Sequence, residues 1–272
     1  MTQTEVVEVG SVAEHLELAM EIAREAGAIL RERVNTTREI DYKGLVNLVT
    51  DADRASEALI ASRLHAAYPD HRLIGEEGAT NEAAGDSPYV WIFDPLDGTT
   101  NYAHAYPHFA VSIALRWNDL TLLGVIYDPM RDEMFSAERG KGAYLNGERF
   151  RVSVVDELVH SLLATGFAYA HGEREQNLGL FTEFLMKTQG PRRDGAAALN
   201  LAWTAAGRLD GFWERHIEAW DVAAGTLIVE EAGGRVTNYS NGPFDPFARE
   251  CLATNGTALH DAMVEILVRH TS

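Results

Sequence analysis

Five acidic residues occupy positions where a carboxylate is costly unless something binds it: Asp53, Glu76, Asp94, Asp97 and Asp221. The densest stretch is Val90-Trp91-Ile92-Phe93-Asp94-Pro95-Leu96-Asp97-Gly98-Thr99-Thr100-Asn101, an apolar run that stops at two aspartates three residues apart. Pro95 fixes one backbone angle and removes a donor, so the chain is expected to leave its sheet there. Gly98 permits a tight turn, and Thr99 and Thr100 bring hydroxyls and N–H groups to the same place. Such a turn suits a hard cation and a bound oxyanion. Taken alone it reads more simply as an aspartate-rich turn with a capping aspartate, and the other acidic clusters shift that weight.

Glu76 and Glu77 follow Leu73-Ile74-Gly75, and paired glutamates disfavour a strand end unless something binds them. Asp51 and Asp53 fall in the first turn of a helix, where carboxylates complement the dipole; for Asp51 that is the preferred reading. Were the ends of these elements to converge, five ionised carboxylates could share a dry cavity only with cations present. Carboxylates and carbonyls without His or Cys point to Mg²⁺ or Mn²⁺ and away from zinc. Two or three such ions would clamp a phosphoryl group for in-line attack and acidify a water enough to make it the nucleophile.

The elements that must position these groups are legible in outline. Ser11 and Glu14 form a capping-box pattern ahead of a helical stripe, predicting a helix over residues 11–34. Thr50 or Asp51 caps a second helix that ends near Tyr68-Pro69. A short strand at 73–75 and a polar loop over 79–88 precede the Val90 run. Strands at 109–116, 120–127, 133–137 and 142–145, parted by Asn118-Asp119, Pro129-Met130-Arg131-Asp132 and Asn146-Gly147, predict an antiparallel meander. Then come a strand at 162–165, a helix at 175–188 and an Ala-rich buried helix at 195–206. A strand at 211–213 ends in Glu214, and an apolar stretch from Trp220 to Glu231 is closed by Ala232-Gly233-Gly234. Strands at 235–238 and 251–254 and a helix at 259–269 complete a layered mix of helices with two sheets.

The 272 residues, 46% of them apolar, suffice for one large domain over 1–272. An N-terminal half, roughly 1–155, carries most acidic motifs, and a C-terminal half, 156–272, carries Asp221. Acids outnumber bases 41 to 23, for a formal charge of −18. That argues against nucleic acid or an anionic membrane as partner, and admits an anionic substrate only where cations mask the acids. Cys251 is the single cysteine, which excludes disulfide frameworks and Cys-rich zinc sites. With no membrane-length apolar run and no basic-then-apolar leader pattern, a cytoplasmic protein is expected.

The Asp94–Asn101 stretch, with Gly75-Glu76-Glu77 before it and Trp220-Asp221-Val222-Ala223-Ala224-Gly225 through Glu231-Ala232-Gly233-Gly234 after it, resembles the inositol monophosphatase family over 48–255. The resemblance implies an α+β fold, a five-layer αβαβα sandwich, a homodimer and Mg²⁺-dependent, lithium-sensitive hydrolysis of a small phosphorylated polyol, inositol monophosphate first. It further implies that Glu76, Asp94 and the Leu96 carbonyl hold one metal, that Asp94, Asp97 and Asp221 hold a second, and that Glu76 shares a third. The attacking water would lie by Glu76 and Thr99, with Asp53 partnering the Thr99 hydroxyl. Gly98 and Thr99 would hold the phosphate, with Asp97 and Asp221 beside the substrate. Gly195, Ala196, Ala197 and Glu214 match the side of the family's pocket that reads sugar hydroxyls, and Lys43 matches a loop lysine. Thr100-Asn101 replaces the Lys that nucleotide 3′-phosphatases of the superfamily carry there, which favours an inositol-type substrate. Arg192-Arg193 resembles bacterial members, with a substrate role and a structural or dimer role both open. Phe167-Ala168-Tyr169 belongs at the pocket rim, Trp220 would position Asp221, and His104 and His108 read as loop histidines. The alternatives are a histidinol-phosphate or fructose-1,6-bisphosphate phosphatase with the same metal chemistry, or a regulatory binding partner.

Overall fold

A computed structural model describes residues 12–35, 40–42, 48–167 and 171–271. In chain order the elements are α1 (Val12–Arg33), β1 (Ile40–Tyr42), β2 (Leu48–Thr50), α2 (Asp51–Ala67), β3 (Arg72–Gly75), β4 (Tyr89–Asp97), α3 (Thr99–Ala103), β5 (Ala110–Trp117) and β6 (Leu120–Asp128). They continue with β7 (Glu133–Glu138), β8 (Gly142–Leu145), β9 (Glu148–Arg149), β10 (Leu163–Thr165), α4 (His171–Lys187), β11 (Pro191–Arg192), α5 (Ala197–Ala205) and β12 (Gly211–Arg215). The last are α6 (Ala219–Glu231), β13 (Arg235–Thr237), β14 (Glu250–Thr254) and α7 (Ala258–Thr271).

Two sheets organise the chain. The larger runs β3-β4-β5-β6-β7-β8-β9, and the smaller β11-β10-β12-β14-β13. Because side chains alternate along a strand, each buried strand feeds two cores. On β4, Trp91 and Phe93 join Ile22, Leu30 and Ile60 of α1 and α2, while Val90 and Ile92 join Leu199, Val222 and Leu227 of α5 and α6. In the smaller sheet Phe212 and Ala253 face α5 and α6, and Trp213 and Leu252 face Phe184 of α4 and Met263 of α7. The order of layers is therefore α1/α2, large sheet, α5/α6, small sheet, α4/α7: the five-layer αβαβα sandwich that the resemblance implied. Each fully buried large side chain in these cores contributes about 1.5–3 kcal/mol by leaving water. No helix among the described residues is long and apolar enough to cross a membrane.

The structure corrects the sequence reading in three places. The chain does not leave the sheet at Pro95: β4 continues to Asp97, which pairs with Ala110, across a register shift. Pro95 is tolerated because β3 stops pairing at Gly75 opposite Phe93, so β4 has a free edge beyond that point. The tight turn after Gly98 is instead the start of α3, a five-residue helix with Gly98 as its left-handed N-cap. The short pairings β1–β2 and β10–β11 were not anticipated, since two- and three-residue strands carry no readable alternation, whereas the Asn146-Gly147 turn read from the sequence closes the β8–β9 hairpin. Lys43, Ala168 and Tyr169 lie outside the described residues.

Candidate metal centre and active-site cleft

Residues i and i+3 of a regular strand point to opposite faces, so Asp94 and Asp97 should diverge. They do not. Asp94 pairs with Ser112 and Asp97 with Ala110, three steps on β4 against two on β5. The extra residue is a bulge that turns both carboxylates to the same side. Ser56 of α2 donates from Oγ to the Pro95 carbonyl (2.9 Å) and pins the bulge.

The second half of the chain meets this corner through helix N-termini. The first N–H groups of a helix lack partners inside it. Ala196, at the N-cap of α5, has no side-chain acceptor, and Asp97 takes its place, accepting from Ala197 N–H (3.1 Å) and Ala198 N–H (2.8 Å). At α6 the cap is internal: Asp221 accepts from the Glu218 N–H (2.9 Å). The Ser112 hydroxyl donates to the Trp220 carbonyl (3.1 Å), which ties the start of α6 to the strand partner of Asp94. Trp220 is thus placed to position Asp221, through its backbone.

Carboxylate oxygens of Asp94, Asp97 and Asp221 all lie within 4.8 Å of one another. Burial, compounded by the neighbouring acids, raises Asp94 well above the usual carboxylate range. Burial likewise lifts Asp97 to about 7 against the hydrogen bonds from α5. Asp221 is also raised to about 7, by burial and by the charge of Asp97. Three converging oxygen donors under mutual repulsion fit a hard divalent cation. Glu76 stands beside Asp94 at the end of β3, close enough for its charge to raise Asp94, but outside that set of three. Its turn is held by Glu57, a buried residue the sequence did not single out, which accepts from the Glu77 (2.8 Å) and Ala79 (2.9 Å) N–H groups.

Asp53 answers the question the sequence left open. It completes a capping box with Thr50 at the start of α2, and its other oxygen lies 3.1 Å from the Thr99 hydroxyl. The same hydroxyl is 3.1 Å from the Leu96 carbonyl. Burial raises Asp53 to about 6, with the Thr50 hydrogen bonds opposing. Asp51 points elsewhere and pairs with Arg33 (3.2 Å), as its dipole reading allows.

At the cluster opens a cleft of 510 Å³, lined by Glu76, Asp94, Leu96, Asp97, Gly98, Thr99 and Asp221 and also by Gly195, Ala196, Ala197 and Glu214. Of the residues that the resemblance assigns to the metals, the attacking water, the phosphate and the sugar hydroxyls, only Asp53 does not line it, and Asp53 is joined to the lining residue Thr99 by a hydrogen bond; Arg192 does not line it either. Thr165, Gly166, Phe167, Arg193 and Arg249 line it too. Glu214 is raised to about 8, chiefly by burial and then by Asp221, with Arg193 pulling the other way. Gly166 makes room for it: a Cβ there would sit 2.1 Å from either carboxylate oxygen. Neither Gly166 nor Glu57 had a sequence signal, since both act through space alone. His108 lies in the loop before β5, buried against Trp203 and absent from the cleft lining, as a loop histidine would, but its Nε2 has no hydrogen-bond partner.

Comparison with known proteins agrees with this geometry. The chain is 43% identical over 254 residues to the inositol-1-monophosphatase of Synechocystis sp., covering 93% of this chain and 88% of that one. It is 44% identical over 232 residues to the Nus factor SuhB of Pseudomonas aeruginosa, covering 83% and 85%. The solved inositol monophosphatase of Anabaena superposes with a TM-score of 0.85 at 42% identity, covering 95% and 96%. The extragenic suppressor protein SuhB of Bartonella henselae does so with 0.89 at 38% identity, covering 94% and 98%. Residues 11–272 match the inositol monophosphatase family, and the chain belongs to it.

Proposed function

We propose that this protein is a Mg²⁺-dependent phosphatase of small phosphorylated polyols, with inositol monophosphate as its preferred substrate. One observation carries the reading: Asp94, Asp97 and Asp221 converge within 4.8 Å in a cleft that Glu214 also lines. Asp94, Asp97 and Asp221 would hold one ion, and Glu76 and the Leu96 carbonyl, with Asp94, another. What Mg²⁺ supplies when bound is positive charge that polarises phosphoryl oxygens and acidifies water; Mn²⁺ is the expected substitute.

The chain's own residues do the rest. The Thr99 hydroxyl donates to Asp53, which leaves its lone pairs to accept from an attacking water. Asp53, raised to about 6, is poised to share that proton near neutrality. Gly98 and Thr99 N–H groups at the start of α3 would bind phosphate oxygens, with Asp97 and Asp221 flanking the ester. Glu214, with Gly195, Ala196 and Ala197, would read the alcohol, since a carboxyl group can engage two neighbouring hydroxyls. A cytoplasmic homodimer inhibited by lithium belongs to the same reading.

The test is phosphate release from inositol 1-phosphate, fructose 1,6-bisphosphate and histidinol phosphate, each with Mg²⁺, with chelator, and with Asp94→Asn. Metal-dependent turnover that favours inositol 1-phosphate supports the proposal. Preference for another ester keeps the mechanism and changes the substrate. No turnover on any of them favours the second reading, a regulatory binding role, to which the relatives named Nus factor SuhB lend weight.

A further inference from the structure

A second cavity, of 720 Å³, lies at the β3–β4–β5 edge of the large sheet, lined by Ile74, Val90 and Phe247, by Arg72 and Arg116, and by the acidic residues Asp86 and Asp119. Arg116 is 6% exposed, yet it pairs with no carboxylate among the described residues. Of the five N–H donors of a guanidinium, one is engaged, Nη2 to the Asp119 carbonyl (2.6 Å). Its buried Nε has no partner. The guanidinium lies over the Phe247 ring, 5.3 Å from its centroid. Burial lowers its pKa, with Asp245 and Asp119 the charges that oppose this.

A desolvated cation with unspent donors favours an anion, and a planar fork favours a carboxylate or phosphate. The walls decide between them. Half-buried Ile74 and the exposed Phe247 ring offer apolar surface that a bare hydrated phosphate would leave wet, whereas a carboxylate with an apolar body covers it and brings less negative charge against Asp86 and Asp119. We propose that this cavity is a second ligand site, separate from the acidic cleft, that binds a small apolar carboxylate through Arg116. Phe247 is two residues from Arg249, which lines the acidic cleft and pairs with Glu218 (2.6 Å). The Glu218 N–H in turn holds Asp221. An occupant that moves the Phe247 ring is thereby felt at the metal centre.

The experiment titrates the Mg²⁺-loaded protein, labelled at isoleucine methyls, with phenylacetate, and with 2-phenylethanol and inorganic phosphate as controls. Saturable shifts of the Ile74 and Ile92 methyls are expected with phenylacetate alone. Binding should weaken by about tenfold or more in Arg116→Gln, as for loss of one charged hydrogen bond. Phe247→Ala, at a position 52% exposed, should weaken it as well, because it removes both the apolar wall and the ring over which the Arg116 guanidinium lies. Absence of saturable shifts at millimolar phenylacetate, equal binding of the alcohol, or undiminished binding in both variants overturns the site. Shifts with phosphate and not phenylacetate overturn the apolar-body assignment. Turnover that ignores bound phenylacetate overturns the coupling, and the binding readout stands whatever ester the acidic cleft hydrolyses.

Discussion

Gly166→Ala tests whether Glu214 reads the alcohol without touching any residue of the acidic cluster. Gly166 has no positive φ, so alanine costs nothing in backbone strain and the consequence comes from space alone. A Cβ at 166 would stand 2.1 Å from both Glu214 oxygens and 2.2 Å from its carboxyl carbon. Ordinary carbon contacts begin at about 3.5 Å, so the carboxylate must retreat by more than about 1 Å. A displacement of that size in a substrate-orienting group is worth about 10²-fold in rate, or about 2.7 kcal/mol in the transition state. The assay is kcat/KM for inositol 1-phosphate beside a plain aryl phosphate that has no hydroxyls for Glu214 to hold. Magnesium affinity is followed in parallel by calorimetry. The inositol ester should lose about two orders of magnitude while the aryl ester and the metal affinity hold steady. An equal loss on both esters would mean that the strain reaches the cluster, and no loss on either would remove Glu214 from substrate recognition.

In Asp94→Asn, turnover should vanish and the chelated protein should melt higher than wild type, because one of three mutually repelling buried carboxylates is gone. The same variant should lose the stabilisation that saturating Mg²⁺ gives wild type, which at a hundredfold excess over Kd is about 2.7 kcal/mol; an undiminished Mg²⁺-induced melting shift would contradict the assignment. Thr99→Val keeps volume but removes the hydroxyl that reaches Asp53, so kcat should fall about 10²–10⁴-fold with Mg²⁺ affinity kept, and Thr99→Ser should recover most of it. Activity in the valine variant close to wild type would exclude the relay. His71 is stacked on Tyr68 and Tyr89 and accepts from the Trp91 indole N–H; burial, then the His15 charge, holds it neutral down to about pH 4. Since its pKa is depressed on folding, its contribution to stability is full above about pH 6.5 and is lost as pH falls toward about 4. Urea unfolding of wild type and His71→Gln over that window should converge as pH falls, and a constant difference would refute the shift.

The sequence by itself determined which residues are chemically committed and what the elements are. Carboxylates at element ends beside Gly, Pro and Thr stand out because they break local preference. The strands at 109–116 and 120–127 and the helix at 11–34 were legible because hydrophobic periodicity and turn pairs are local properties. Tertiary structure alone decided convergence. Asp94 and Asp97 share a face only through the bulge at Pro95-Leu96, whose existence depends on where β3 stops and how β5 is registered. Asp97 is fixed by the N-terminus of α5, a hundred residues along the chain, and Asp221 is brought alongside by a bond from Ser112 to the backbone of Trp220. Glu57, Ser56 and Gly166 were invisible in the sequence for the same reason. A buried acceptor, a pinned carbonyl and an absent Cβ acquire meaning only from the partner across the gap, and no spacing along one chain encodes that partner's position.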